Sequence, residues 1–255
     1  MKNAQHDEMI HLLRNHRSIR EFQQKRIPPD LINTVLTAGQ AASSSSHGQS
    51  YTIINVTDDE KKRLLADYAG KQTHIRDCSN FLVFCADLYR LEQIASLNGV
   101  NLKEVIESTE MLLISTIDAA LAAQNVAIAA ESLQLGIVYI GGIRNNPEQV
   151  SELLELPYRV YPVFGMCVGY PQPDKVPDSK PRLPLAVVCH ENSYSPFEDV
   201  YPEIQEYDEE MRDYYANRSH GSRTATWSGA MLDKRKVPRR MFMKHFLNQR
   251  GFSLR

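Results

Sequence analysis

A chain of 255 residues, 42% hydrophobic and 24% charged, with 12 Gly and 13 Pro, is long enough to bury a sizeable core. That composition excludes disorder, collagen-like repeats and coiled coil as the main architecture. The net charge of −2 conceals an asymmetry: residues 218–255 carry ten Lys or Arg against one acid, Asp233, so this tail is +9 and the remainder −11. Such a tail suits nucleic acid, an anionic small molecule, or the acidic remainder of its own molecule or dimer.

The first thirty residues are polar and charged, which argues against a secretory signal. Met9, Ile10, Leu12 and Leu13 mark a helix over 5–14, and Pro28-Pro29-Asp30 opens a second, with Leu31, Val35 and Ala38 at helical spacing. It runs out into Ser43-Ser44-Ser45-Ser46-His47-Gly48. Residues 51–56 are dense in β-branched side chains and read as a strand; 57–60 have the spacing of a capping box, and Gly70 closes that helix. The run 81–86 is apolar throughout, as in a strand buried on both faces. A long helix is predicted over 102–135. Its most apolar part, 111–130, is interrupted by Asp118, Gln124 and Asn125, and so reads as a buried helix and not a membrane span; without a solvent face, it belongs in a core or a dimer interface. Strands at 137–140 and 161–168 flank a helix over 147–156. A fifth strand is predicted at 185–189, then helices over 202–217 and 238–250, separated by a polar segment at 218–227. Four cysteines without a CxxC, three of them in apolar strand-like runs, point to a reducing cytoplasm. Five strands alternating with helices predict an α/β or α+β layered domain with a helical C-terminal extension.

No HxxxH or HExxH spacing, GxSxG elbow, GxxxxGK[ST] loop or GxGxxG after a strand is present, so metal, hydrolase, P-loop and Rossmann readings have no local support. Four separated anion-binding features remain. His16-Arg17-Ser18-Ile19-Arg20 offers two guanidiniums, an imidazole and a hydroxyl, groups suited to phosphate. The serine loop 43–48 can form a backbone nest. Gly141 and Gly142, after Tyr139 and Ile140, let a flat ligand approach the backbone. Lys180 and Arg182 are held beside prolines. Taken singly, these are equally a solvated basic turn, a plain loop, a tight turn and a surface loop.

Together and in this order they resemble the oxygen-insensitive NADPH nitroreductase and FMN-containing flavin reductase family, the long NADPH-specific branch of the nitroreductases. The resemblance covers essentially the whole chain: HRSIR at 16–20, SSSS at 43–46 with Gln49, Gln72 in GKQ, FCADLYR at 84–90, AAQNVAIAAESLQLGIVYIGGIRNN at 122–146, FGMCVGYP at 164–171, KPRLP at 180–184, HENSY at 190–194 and TW at 226–227. It departs from the family pattern at His47 and between Arg218 and Arg223.

The resemblance implies an α+β, three-layer α/β/α fold with a central mixed five-stranded sheet, one strand of which, 185–189, is exchanged between the subunits of a homodimer. Residues 1–200 would be the FMN-binding core and 201–255 a helical extension carrying an NADPH-binding loop, in one domain overall. His16, Arg17, Ser18, Arg20, Ser44, Ser45, Ser46, Gln72, Tyr139, Ile140, Gly141, Gly142, Lys180 and Arg182 fall on the family's FMN pocket, which both chains line. Arg218 and Arg223 fall on its NADPH arginines. The backbone N–H of Gly141 is the expected partner of flavin N5, and no side chain is required as a general acid. The implied activity is ping-pong, two-electron reduction of nitroaromatics, quinones, azo compounds or free flavin. A dedicated flavin reductase is the alternative enzyme, and a non-catalytic nucleotide- or nucleic-acid-binding protein is the alternative of another class. Against the latter, Trp227, Phe242, Phe246 and Phe252 sit mostly at helix-core spacing and not as a base-stacking series.

Overall fold

The computed structural model describes residues 2–218, 221–222 and 224–253. Contacts divide the chain into two compact units, Met1–Pro177 with Arg240–Arg255, and Asp178–Arg239. In the first unit the elements are α1 (Lys2–Arg14), α2 (Pro29–Gln40), β1 (Tyr51–Val56), α3 (Asp59–Tyr68), α4 (Thr73–Asp77), β2 (Asn80–Asp87), α5 (Tyr89–Leu97), α6 (Lys103–Ile106), α7 (Thr109–Ser132), β3 (Gly136–Ile140), α8 (Pro147–Leu153) and β4 (Val160–Gly169). The second contributes α9 (Leu185–Val188), α10 (Phe197–Arg218) and α11 (Trp227–Arg235), and the chain returns to the first in α12 (Met243–Gln249).

The sheet runs β1-β2-β4-β3. All three pairings are antiparallel, with Ile53 opposite Phe84, Phe81 opposite Cys167 and Val138 opposite the same Cys167. Every residue of β2 is buried, because helices cover both faces. Leu82, Phe84 and Ala86 pack with α2, α7 and the C-terminal Phe246 and Phe252. The alternate residues Phe81, Val83 and Cys85 pack with α3, α4 and α8. This is the expected three-layer arrangement, produced by the period-two alternation of a central strand.

Among the described residues of the single chain the sheet has four strands, all antiparallel, without the fifth strand expected of the mixed sheet. Residues 185–189, read as the fifth strand, form a single helical turn opened by Pro184, and Leu185 is 75% exposed. A short β-branched run has no strong backbone preference of its own: it becomes a strand where a sheet edge supplies partners, and otherwise closes local bonds such as Cys189 N–H to Leu185 O at 2.8 Å.

The long helix is also interrupted. Ser108 accepts from Met111 N–H at 3.3 Å and restarts it as α7, leaving α6 as a separate turn. Helix α7 is long and apolar enough to cross a membrane by length and composition alone. Its Ala119, Ala122, Ala123, Val126, Ala127 and Ala130 are nonetheless buried in the core of the first unit, and Gly39 of α2, where a Cβ would strike Val126, brings the two helices close. On its other side, Leu113, Ile117 and Leu121 are exposed at a four-residue spacing. In the second unit, α11 occupies residues for which no helix was predicted; Thr226 caps it by accepting from Gly229 N–H at 3.0 Å.

Candidate functional site

The basic turn 16–20 lies along β3. Ile19 N–H donates to Ile137 O at 2.8 Å, Ser18 bridges Ile137 in parallel register, and the Ile19 side chain fills the space that Gly136 leaves. Pairing with β3 brings the turn to the strand that ends in Tyr139, Ile140, Gly141 and Gly142. His16 Nδ1 bonds Glu131 Oε1 at 2.6 Å. Arg17 Nε is buried and has no hydrogen-bond partner among the described residues. Arg20 is exposed, with a weak 3.4 Å bond to Ser18 O.

Gln72 joins this group. Its Nε2 donates to Ala69 O at 2.8 Å, and its Oε1 lies 3.1 Å from His74 Nε2. Burial first, and then the positive charge of Arg20, holds the His74 imidazole below its ordinary range, which places Arg20 on the same side as Gln72. Gly142 is packed so tightly here that a Cβ would fall on Gln72 Nε2 and Ala69 O. Gly141 stays half-buried under the guanidinium of Arg144, a cation that the sequence reading did not single out. Tyr139 packs edge-on against Phe164 at 5.5 Å and donates to Gln124 Oε1 at 3.3 Å. Burial, and then the charge of Glu131, raises its phenol well above the ordinary value.

Replacing Gly142 with Ala is therefore expected to displace Gln72 and destabilise the protein by about 1–3 kcal/mol, the range for overpacking. Thermal unfolding checks this; an unchanged melting temperature would remove the argument from close packing.

The serine loop is organised elsewhere. Asp118 of α7, 1% exposed, accepts from Ser45 N–H and Ser50 N–H, each at 3.0 Å. Between these anchors Ser46, His47 and Gln49 have positive φ, so the loop turns sharply; Ser44 is half-buried, and Ser45 and Ser46 are exposed. Asp118 and Glu131 are thirteen residues apart on one helix, about 20 Å along its axis. Within a single chain, then, the serine loop and the basic turn hang from points well separated along α7. The signal for Asp118 was its position as the one acid within 111–130.

Lys180 and Arg182 belong to the second unit. Lys180 Nζ donates to Tyr215 OH at 2.7 Å, Arg182 donates to Lys180 O at 3.3 Å, and Tyr207 OH donates to Pro181 O at 2.9 Å, so the KPR segment is held against α10. Arg218, at the end of α10, is exposed and bonds Tyr214 OH at 3.2 Å. Arg223 lies outside the described residues.

The donor set of the first unit fits a phosphorylated flavin. A guanidinium nitrogen without a partner in a buried position calls for an acceptor, and glycines that keep a strand end open admit a planar ring.

Residues 13–170 match the Nitroreductase family and residues 180–255 match the Nitroreductase family, C-terminal domain. The chain is 45% identical to the FMN reductase (NADPH) of Bacillus subtilis, over 96% of its own length and 98% of the relative's. It is 40% identical to the oxygen-insensitive NADPH nitroreductase of Salmonella typhimurium, over 96% and 98% of the two chains. Among solved structures, B. megaterium NfrA1 superposes with a TM-score of 0.94 at 45% identity, covering 96% of this chain and 99% of that one. Sequence and fold agree along nearly the whole length, and the protein belongs to the nitroreductase family.

Proposed function

We propose that the protein is an FMN-dependent NADPH oxidoreductase that reduces nitroaromatics, quinones, azo compounds or free flavin by two electrons in ping-pong turnover. The observation that carries this reading is the buried, partnerless Arg17 Nε in a cationic turn, beside a glycine strand end. When bound, FMN supplies the chemistry, taking a hydride from NADPH and passing two electrons to the acceptor.

The chain's own part is to bind and orient. His16, Arg17, Ser18 and Arg20, with Lys180 and Arg182, offset the flavin's negative charge; Ser44, Ser45 and Ser46, Gln72, and Tyr139, Ile140, Gly141 and Gly142 shape the pocket. The backbone N–H of Gly141 would be the partner of flavin N5. Residues 1–200 form the FMN-binding core, and 201–255 a helical extension whose Arg218 and Arg223 meet NADPH. Free flavin is the acceptor favoured by the name of the B. subtilis relative, FMN reductase (NADPH).

The working form is a homodimer with each pocket lined by both chains. Three features support this: the exposed Leu113, Ile117 and Leu121 stripe of α7, the separation of the serine loop from the basic turn, and the open edge of β1. In this assembly, 185–189 of one subunit extends along β1 of its partner as the exchanged fifth strand. The four unpaired cysteines suit a reducing cytoplasm. Nucleic acid and membrane have no part in the reading.

The purified protein is expected to be yellow, with one FMN per chain, and to be bleached anaerobically by NADPH before any acceptor is added. A colourless protein that does not take up added FMN would refute the proposal.

A further inference from the structure

We propose that Glu131 is the positioning residue of the cofactor's phosphate site: its carboxylate fixes which nitrogen of His16 meets that phosphate. The inference rests on the reading that the chain holds FMN.

Glu131 lies in the last turn of α7, where the negative end of the helix dipole disfavours an acid. Its side chain is only 15% exposed, and it bonds His16 Nδ1 at 2.6 Å. An acid in this place is stabilised by a donor, and His16, reaching across 115 residues of sequence, provides one. A carboxylate has no proton to give, so Nδ1 must carry it, and Nε2 is the ring nitrogen left for a ligand. The His16 side chain keeps 30% of its surface exposed, and its chain neighbour is Arg17, with the buried Nε that lacks a partner. A phosphate reaching Arg17 Nε is therefore next to His16 in the chain.

Arg17 and Arg20 lie in the same turn as His16, with Glu21 following, and the phenol of Tyr139 of β3 senses the Glu131 charge. The phosphate of FMN is largely dianionic near neutral pH. An imidazolium that donates from Nδ1 to Glu131 and from Nε2 to the phosphate lies between two anions.

The test is calorimetric titration of the full-length apoprotein with FMN and with riboflavin, which lacks the phosphate. Glu131→Gln should lower FMN affinity about tenfold and leave riboflavin affinity unchanged, with partial recovery in Glu131→Asp. In a His16→Asn background, Glu131→Gln should have no further effect on FMN.

FMN affinity in Glu131→Gln that matches wild type, or that falls together with riboflavin affinity, would overturn the proposal. A wild-type apoprotein that binds no FMN would instead sink the functional reading beneath it.

Discussion

Replacing Arg159 with Leu is expected to destabilise the protein by about 3–5 kcal/mol, the range for breaking a buried ion pair from one side. Arg159 is 2% exposed. Its Nε donates to Glu92 Oε1 at 3.1 Å, its Nη2 to Glu107 Oε1 at 3.0 Å, and its Nη1 to Gly251 O. It thus ties α5 and the α6–α7 junction to the C-terminal tail, where Phe252 packs edge-on against Tyr161 at 5.1 Å and Ser253 Oγ donates to Glu107 O at 2.8 Å. Leucine fills the volume but removes the cation facing Glu107, which is itself 7% exposed, and the donor to the tail carbonyl. Arg159 already has a φ of +69°, and leucine keeps that backbone cost, so the comparison isolates the guanidinium. Lysine should recover part of the loss, having one charge but no fork to reach three acceptors. Urea unfolding monitored by circular dichroism measures the effect, and limited proteolysis should show the tail released. A loss below about 1 kcal/mol would mean that the clamp contributes little beyond its packing.

Changing Arg218 and Arg223 to Ala is expected to raise the NADPH KM while leaving NADH turnover and the acceptor half-reaction nearly unchanged. NADPH differs from NADH by a 2′-phosphate that is largely dianionic at neutral pH. Guanidiniums meeting it would give about 2–4 kcal/mol of discrimination, thirtyfold to a thousandfold, if partly desolvated. Arg218 is exposed at the end of α10, with a 3.2 Å bond to Tyr214 OH, which argues for the lower end of that range and for a preference that weakens with salt. Steady-state kinetics with both nicotinamides at two ionic strengths decide the matter. If NADPH and NADH suffer alike, the arginines do not read the 2′-phosphate.

The sequence alone determined the features whose cause is local. Continuous apolarity at 81–86 made β2 a fully buried strand, Pro28-Pro29-Asp30 opened α2, and the crowding of His16, Arg17, Ser18 and Arg20 marked a cationic turn, because five adjacent residues carry the whole signal. The ordered motifs likewise identified the family, since their order in the chain is itself the information. What the tertiary structure decided depends on partners far apart in sequence. Asp118 looks like an interruption of an apolar helix and Glu131 like a plain acid just beyond the apolar run; only the fold brings them to Ser45, Ser50 and His16 and makes them anchors of the two loops. Gln72 against Gly142 is a contact across the unit, with no period or spacing to announce it. The run 185–189 shows the limit most directly: its β-branched residues permit a strand, but strand hydrogen bonds must come from a neighbouring edge, and in the single chain it closes instead into a helical turn.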